Sequence, residues 1–235
     1  MFRFSNPHQF MKLSKGIFWI ALGVAILGMS IGYAWVWQLP GDYAQGRVFK
    51  IMYVHVPAAW LSMGLYGLLA LSSLVYLIWR HVVSFFLAEA AAWVGATVTA
   101  ICLLTGMLWG KPTWGAWWVW DARLTSVLIL FFLYAGYLVL IRSFDHFERA
   151  AHNGSLLALF GAVNLPIIKW SVAWWHTLHQ PASLTKLSSP SLAGDFLWPL
   201  ILCALGWLGY TTLCVIWIAW GNIRRHQQKV KGHIS

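Results

Sequence analysis

Six apolar stretches, each long enough to cross a bilayer as a helix, dominate this 235-residue sequence and dictate its solvent. A hydrocarbon layer roughly 30 Å thick takes about 20 apolar residues in helical form. The candidate spans are 17–37, 51–79, 82–110, 124–141, 155–175 and 196–223. Four of them, 17–37, 51–79, 124–141 and 196–223, contain no Asp, Glu, Lys or Arg; 82–110 carries Glu89 alone, and 155–175 carries Lys169. Composition agrees: 60% of residues are hydrophobic and 9% charged, against roughly 25% charged in average soluble domains. A soluble enzyme is excluded, and so is a disordered chain, which needs low hydrophobicity. Because lipid offers backbone groups no partners, the expected class is an all-α integral membrane protein of six transmembrane helices, a single membrane domain over 1–235. The first apolar run exceeds the 7 to 15 residues of a signal h-region, so it is expected to stay as a span.

Six spans put both termini on one side, and the cations say which. Arg3, Lys12, Lys15, Arg80, Arg142, Arg149, Arg224, Arg225, Lys229 and Lys231 fall on one side; Arg47, Lys50, Lys111, Arg123, Lys169 and Lys186 fall on the other. The side with ten cations is expected to be cytoplasmic. A net charge of +10 is therefore read as a topology signal and not as a nucleic-acid footprint. The extracytoplasmic face then holds 38–50, 111–123 and 176–195, and function is expected there. The fifth span contains Asn164 and Pro166, and a bend is expected where Pro166 frees the carbonyl of Ala162.

The connection KPTWGAWWVWDARLTS, 111–126, places Trp114, Trp117, Trp118 and Trp120 within seven residues and follows them with Asp121 and Arg123. One or two tryptophans would make an ordinary aromatic belt at the headgroup level; four make a broad π-surface larger than anchoring requires. Read as a helix, the segment puts Trp114, Trp117, Trp118, Asp121 and Thr125 on one face, with Arg123 roughly opposite. Such a surface suits a flat conjugated ligand with an anionic edge. Haem is of that kind: its ring stacks on aromatics, its propionates seek cations such as Arg47, Lys50, Lys111 or Arg123, and its iron takes axial imidazoles.

Topology sorts the nine histidines. His8, His81, His146, His152, His226 and His233 fall at the cytoplasmic side and carry no assigned role. His55, in YVHVPAAW, lies about one turn inside the second span, where an imidazole is costly without a partner. His176 and His179 follow the fifth span in KWSVAWWHTLHQPAS. If that helix continues by one turn, Trp175 and His179 share a face and His176 and His179 are neighbours. One imidazole from the second span and one from this turn would approach an iron from opposite sides. Zinc is the lesser reading, since no carboxylate or cysteine completes a set on this loop.

These segments together resemble a known family. WGAWWVWDARLTS is similar to the tryptophan-rich WWD motif of haem-handling proteins of cytochrome c biogenesis, and with HVPAAW upstream and NLPIIKWSVAWWHTLHQ downstream the six-span chain resembles the CcmC, or haem exporter protein C, family of maturation system I. The resemblance runs from about the second span to the sixth. It implies that haem b is held transiently as cargo on the periplasmic face of the bacterial inner membrane, between the WWD segment and two histidines. His55 matches the first family ligand and His179 the second; His176 is an additional histidine and the fallback ligand. The resemblance further implies delivery to the periplasmic haem chaperone CcmE, and work alongside an ABC transporter of CcmA and CcmB and the small membrane protein CcmD. No GxxxxGK[ST] loop occurs in the chain, so ATP hydrolysis is expected of a partner, and the chain itself is expected not to be an enzyme.

Two other readings share the same residues. A b-type electron carrier also uses two histidines on spans, although it buries its haem inside the bundle. A secondary transporter calls for paired broken helices, and only the fifth span shows a break. Glu89 is expected to snorkel to the interface or pair with Arg80. Cys102, Cys203 and Cys214 sit in apolar runs as small hydrophobes.

Overall fold

In a medium without water every backbone N–H and C=O must find its partner inside its own segment, and the apolar runs answer as helices. The computed structural model describes residues 6–43, 45–175 and 194–232. Helix α1 spans Pro7–Gln38, α2 Met52–Trp79, α3 Val82–Trp114, α4 Ala122–Arg142, α5 Phe147–Gly161, α6 Asn164–Trp174 and α7 Gly194–Gly232, with a 3-10 turn, Val48–Ile51, leading into α2. Taking α5 and α6 as one interrupted span, six helices are long and apolar enough to cross a membrane. Among the described residues there is no strand; a single bridge, Asp42 to Gly46, closes the turn between α1 and α2.

Most spans reach beyond the apolar runs because capping, rather than hydropathy, sets their ends. Helix α1 begins at Pro7, ten residues before its apolar run. Pro7 needs no partner for a missing N–H, and the Asn6 side chain accepts from the His8 and Gln9 amides at 2.9 and 3.4 Å. Helix α3 passes Gly110 and takes up Lys111–Trp114 before Gly115 ends it in the left-handed region at φ 78°, its N–H on the Lys111 carbonyl. The fifth span does break, but at 162–163, ahead of the proline. The Ala162 carbonyl that Pro166 cannot meet accepts the Leu165 amide at 3.1 Å, and Asn164 donates from Nδ2 to the Ser126 carbonyl of α4 at 2.8 Å.

Lipid tails are as apolar as leucine, so helices associate in membranes through close backbone approach and polar contacts. Helix α1 lies on α7 along Ala21, Ala25, Gly28 and Gly32. The contact is so close that a Cβ on Gly28 would stand 2.7 Å from the Gly206 nitrogen. Two indoles bond across the same seam: Trp207 Nε1 to Tyr33 Oη and Trp220 Nε1 to Ser14 Oγ, both 2.8 Å. Helix α2 packs on the alanine-rich α3, and Tyr134 of α4 donates to the Ser62 carbonyl of α2 at 2.8 Å.

Glu89 does not pair with Arg80. Its carboxylate lies 3.9 Å from Arg142 and accepts from Asn222 Nδ2 at 2.9 Å, while Arg225 donates to the Asn222 amide oxygen at 2.6 Å. Arg80 instead caps α2 and stands over the Tyr76 ring, 5.6 Å from its centre. The i, i+9 separation from Arg80 to Glu89 joins them across a turn that directs them apart, whereas α4 and α7 bring their cations to α3 at the same depth.

Candidate functional site

His55 sits on the first turn of α2, and its ring is held by α3. Its Nδ1 lies 3.0 Å from the Cys102 carbonyl oxygen and 3.1 Å from Thr105 Oγ1. A backbone carbonyl has no proton to give, so Nδ1 carries the hydrogen and Nε2 carries the lone pair. Thr105 in turn donates to the Ile101 carbonyl at 2.7 Å. The other walls are close. A Cβ on Gly106 would approach His55 Cε1 to 3.1 Å, and the Trp109 indole meets the imidazole edge to face at 5.8 Å and 83°. Trp109 is itself tethered, its Nε1 donating to Gln45 Oε1 at 2.8 Å. Gln45 belongs to the α1–α2 turn, where its amide donates to Asp42 Oδ2 at 3.0 Å.

One turn further along α3 the tryptophan segment begins, but it is not one helix. Trp114 closes α3 with its ring against Gly110, where a Cβ would lie 3.1 Å from Cε3. From Gly115 to Asp121 the chain is non-helical. The single face expected to carry Trp114, Trp117, Trp118, Asp121 and Thr125 therefore does not form, because Gly115 stops α3 and Asp121 starts α4. Trp117 and Trp120 are 50% and 76% exposed. Trp118 packs edge to face on Trp120 at 5.5 Å, and its buried indole N–H has no hydrogen-bond partner among the described residues. Asp121, 9% exposed, is the N-cap of α4 and accepts the Leu124 amide at 2.7 Å.

The cations named from the sequence occupy different posts. Lys50 donates to the Trp37 carbonyl at the end of α1 (3.1 Å), and Lys111 donates to the Gly115 carbonyl at the end of α3 (3.1 Å), with its ammonium 6.0 Å from the Trp117 ring. Both complement the negative end of a helix. Arg123 turns to α6, its Nε 3.3 Å from Ser171 Oγ. Arg47 is exposed at the start of the 3-10 turn. His176 and His179 lie outside the described residues. Helix α6 stops at Trp174 and Trp175 is extended (φ −131°, ψ 153°), so the further helical turn expected to bring Trp175 and His179 onto one face does not start there. Trp170, Trp174 and Trp175 are all about half exposed at this end of α6.

Two participants escaped the sequence reading. Trp109 looks like one more residue of an apolar span, and Gln45 like a loop amide; only the antiparallel packing of α2 on α3 brings them to His55. The available signal was the i, i+4 step from Thr105 to Trp109, legible once the depth of His55 was known. Among the described residues no three His, Cys, Asp or Glu side chains gather as a metal cluster, and the surroundings of His55 are aromatic and amide in character.

Comparison with known proteins points the same way as the motif. The family model described as Heme exporter protein C matches residues 1–233. A heme exporter protein C of Bradyrhizobium diazoefficiens is 49% identical over 202 residues, covering 86% of this chain and 76% of its own. Its counterpart in Haemophilus influenzae is 50% identical over 190 residues, 80% and 76% of the two chains. A protein of Marchantia polymorpha, named as ccmC-like, mitochondrial and of cytochrome c biosynthesis, is 43% identical over 181 residues, 77% and 74% of the two chains. With a match over nearly its whole length and relatives near half identity, this multi-pass membrane chain belongs to the heme exporter protein C family.

Proposed function

We propose that the protein binds haem b as a transient cargo at the end of the bundle that carries His55 and the tryptophan segment, and presents it to a CcmE-type chaperone for cytochrome c maturation. That end is assigned to the periplasmic face of the inner membrane, with both termini cytoplasmic, by the excess of cations at the other end. The observation that carries the reading is the seat of His55. Metal-bound imidazoles characteristically donate their second N–H to a carbonyl or carboxylate, which fixes the tautomer and aims the lone pair; the Cys102 carbonyl at 3.0 Å does this for Nδ1. His55 supplies one axial bond and His179 the other. Trp114, Trp117, Trp118 and Trp120 form the apolar wall, with the buried Trp118 N–H as a donor suited to an anionic edge. Arg47, Lys50, Lys111 and Arg123 provide the positive field for propionates. Asp121 fixes the start of α4 and so the end of that wall. The chain handles haem without transforming it, and CcmA, CcmB and CcmD partners supply the ATP-driven step and assembly.

Optical spectra of detergent-purified protein, co-produced with its acceptor, test this directly. The parent is expected to show a six-coordinate low-spin haem, His179→Ala to lose most of it, and His176→Ala to match the parent. A colourless parent would overturn the haem reading, and dependence on His176 with indifference to His179 would move the second ligand.

Gly106→Ala probes the seat without touching a ligand. The new methyl would stand 3.1 Å from His55 Cε1, so the ring must give by a few tenths of an ångström, which strains its bond to the Cys102 carbonyl. Haem affinity is expected to fall about 10-fold, the scale of losses around metal sites when a supporting contact goes. A titration identical to the parent's would show that the seat has no bearing on binding.

A further inference from the structure

We propose that Gln45 and Trp109 form a clamp that positions the His55 ring, so that the α1–α2 turn on the extracytoplasmic side governs how firmly the ligand is held. This rests on His55 being a haem ligand, and it adds two residues that act on that ligand. Four contacts in series carry it. Asp42 and Gly46 close the turn by paired backbone bonds of 2.8 Å. The Gln45 amide is fixed to Asp42 Oδ2 at 3.0 Å, and its side-chain oxygen accepts the Trp109 indole N–H at 2.8 Å. The indole then meets the imidazole edge to face at 5.8 Å, and the Cys102 carbonyl and Thr105 hold Nδ1 of the same ring.

Each link has a reason to be there. A part-buried indole N–H needs an acceptor. A loop amide from 64 residues away supplies it. The edge-to-face contact adds a second restraint on rotation of the imidazole about its Cβ–Cγ bond, beside the Nδ1 bond. At the other end of the chain of contacts Tyr43, at the tip of the turn, is fully exposed. A partner pressing on that tip would act on Gln45 first, then Trp109, then the ring.

The test uses the full-length protein in detergent, with histidine ring nitrogens labelled with ¹⁵N, in haem-free and haem-loaded forms. In Gln45→Leu the acceptor is lost with little change in shape, and in Trp109→Phe the ring edge stays but the donor is gone. Both are expected to shift the His55 nitrogen resonances in the haem-free protein and to speed haem loss to apomyoglobin about 10-fold. The double variant is expected to be no faster than either single one, because both cut the same bond. Gln45→Glu keeps an acceptor oxygen and is expected to restore the parent's spectrum and rate. Parent-like nitrogen signals and haem retention in Gln45→Leu and Trp109→Phe would overturn the clamp. A parent that takes up no haem would instead overturn the haem reading, and the haem-free spectra would still decide whether Gln45 and Trp109 hold the ring.

Discussion

His55→Ala is expected to lower haem retention by more than about 100-fold, beyond the 10- to 100-fold typical of contacts that merely support a ligand, while leaving the protein inserted and folded. The second half of that expectation follows from what the substitution leaves behind. Thr105 keeps its bond to the Ile101 carbonyl at 2.7 Å, and the Cys102 carbonyl keeps its place in α3, so neither of these two groups is stripped of its last partner. Trp109 keeps Gln45. Alanine is also the best of helix formers, so the first turn of α2 is not weakened. What disappears is an imidazole-sized volume with Trp109 and Gly106 on its walls and a carbonyl acceptor at its back. Imidazole added to the solution should enter that space, donate to Cys102 and restore part of the low-spin spectrum. The check is haem content and Soret position in equal amounts of purified protein, with and without imidazole. A variant that retains the parent's haem with an unaltered spectrum would remove His55 from the site and with it the argument from its seat.

Gly28→Leu should produce the largest loss of stability. A Cβ at Gly28 would already stand 2.7 Å from the Gly206 nitrogen and 2.9 Å from the Leu202 carbonyl oxygen, and the reverse is as tight, since a Cβ on Gly206 would be 2.6 Å from the Met29 nitrogen. Backbone cannot turn aside as a flexible side chain can, so a leucine forces α1 away from α7. The displacement also pulls apart Trp207 from Tyr33 and Trp220 from Ser14, both at 2.8 Å. Overpacking of this kind costs about 3 kcal/mol at the upper end of its usual range. At roughly 2 to 4 °C per kcal/mol for a chain of this length, Tm falls by about 6 to 12 °C. Gly23→Leu is the matched control, because a Cβ there meets nothing within 4 Å. Thermal unfolding in detergent followed by tryptophan fluorescence reads both. Equal stability of the two variants would show that α1 and α7 are not held by close backbone approach.

The contrast between these two glycines shows where a sequence stops being informative. Gly23 and Gly28 lie on the same helix, five residues apart, and differ only in which side of it faces α7. Hydropathy is no guide to that choice, because both sides of a membrane helix are apolar: one meets lipid, the other protein, and the transfer energy is nearly the same. The same indifference hid Trp109. Its neighbours in α3 are as apolar as it is, and only the depth at which α2 crosses α3 makes it the wall of the His55 seat. Glu89 was legible as a costly group needing a partner, but which cation would reach it depended on how α4 and α7 pack on α3, and Arg142 with Asn222 took the place expected for Arg80.

Length and polarity of the runs determined, without any packing, that this chain is a six-span helical membrane protein, since a bilayer leaves the backbone no other way to satisfy its polar groups. His55 stood out within those runs because an imidazole inside a span is costly without a partner, and the tryptophans from Trp114 to Trp120 stood out because four exceed an ordinary aromatic belt. Tertiary structure alone decided that the tryptophan segment is split between a helix end and a non-helical stretch, that Lys50 and Lys111 sit on helix-terminal carbonyls, and that the imidazole lies against Cys102, Thr105 and a Trp109 bonded to Gln45. Those outcomes depend on distances of about 3 Å between residues far apart in the chain, and such distances are set by how helices cross and not by the order of residues along any one of them.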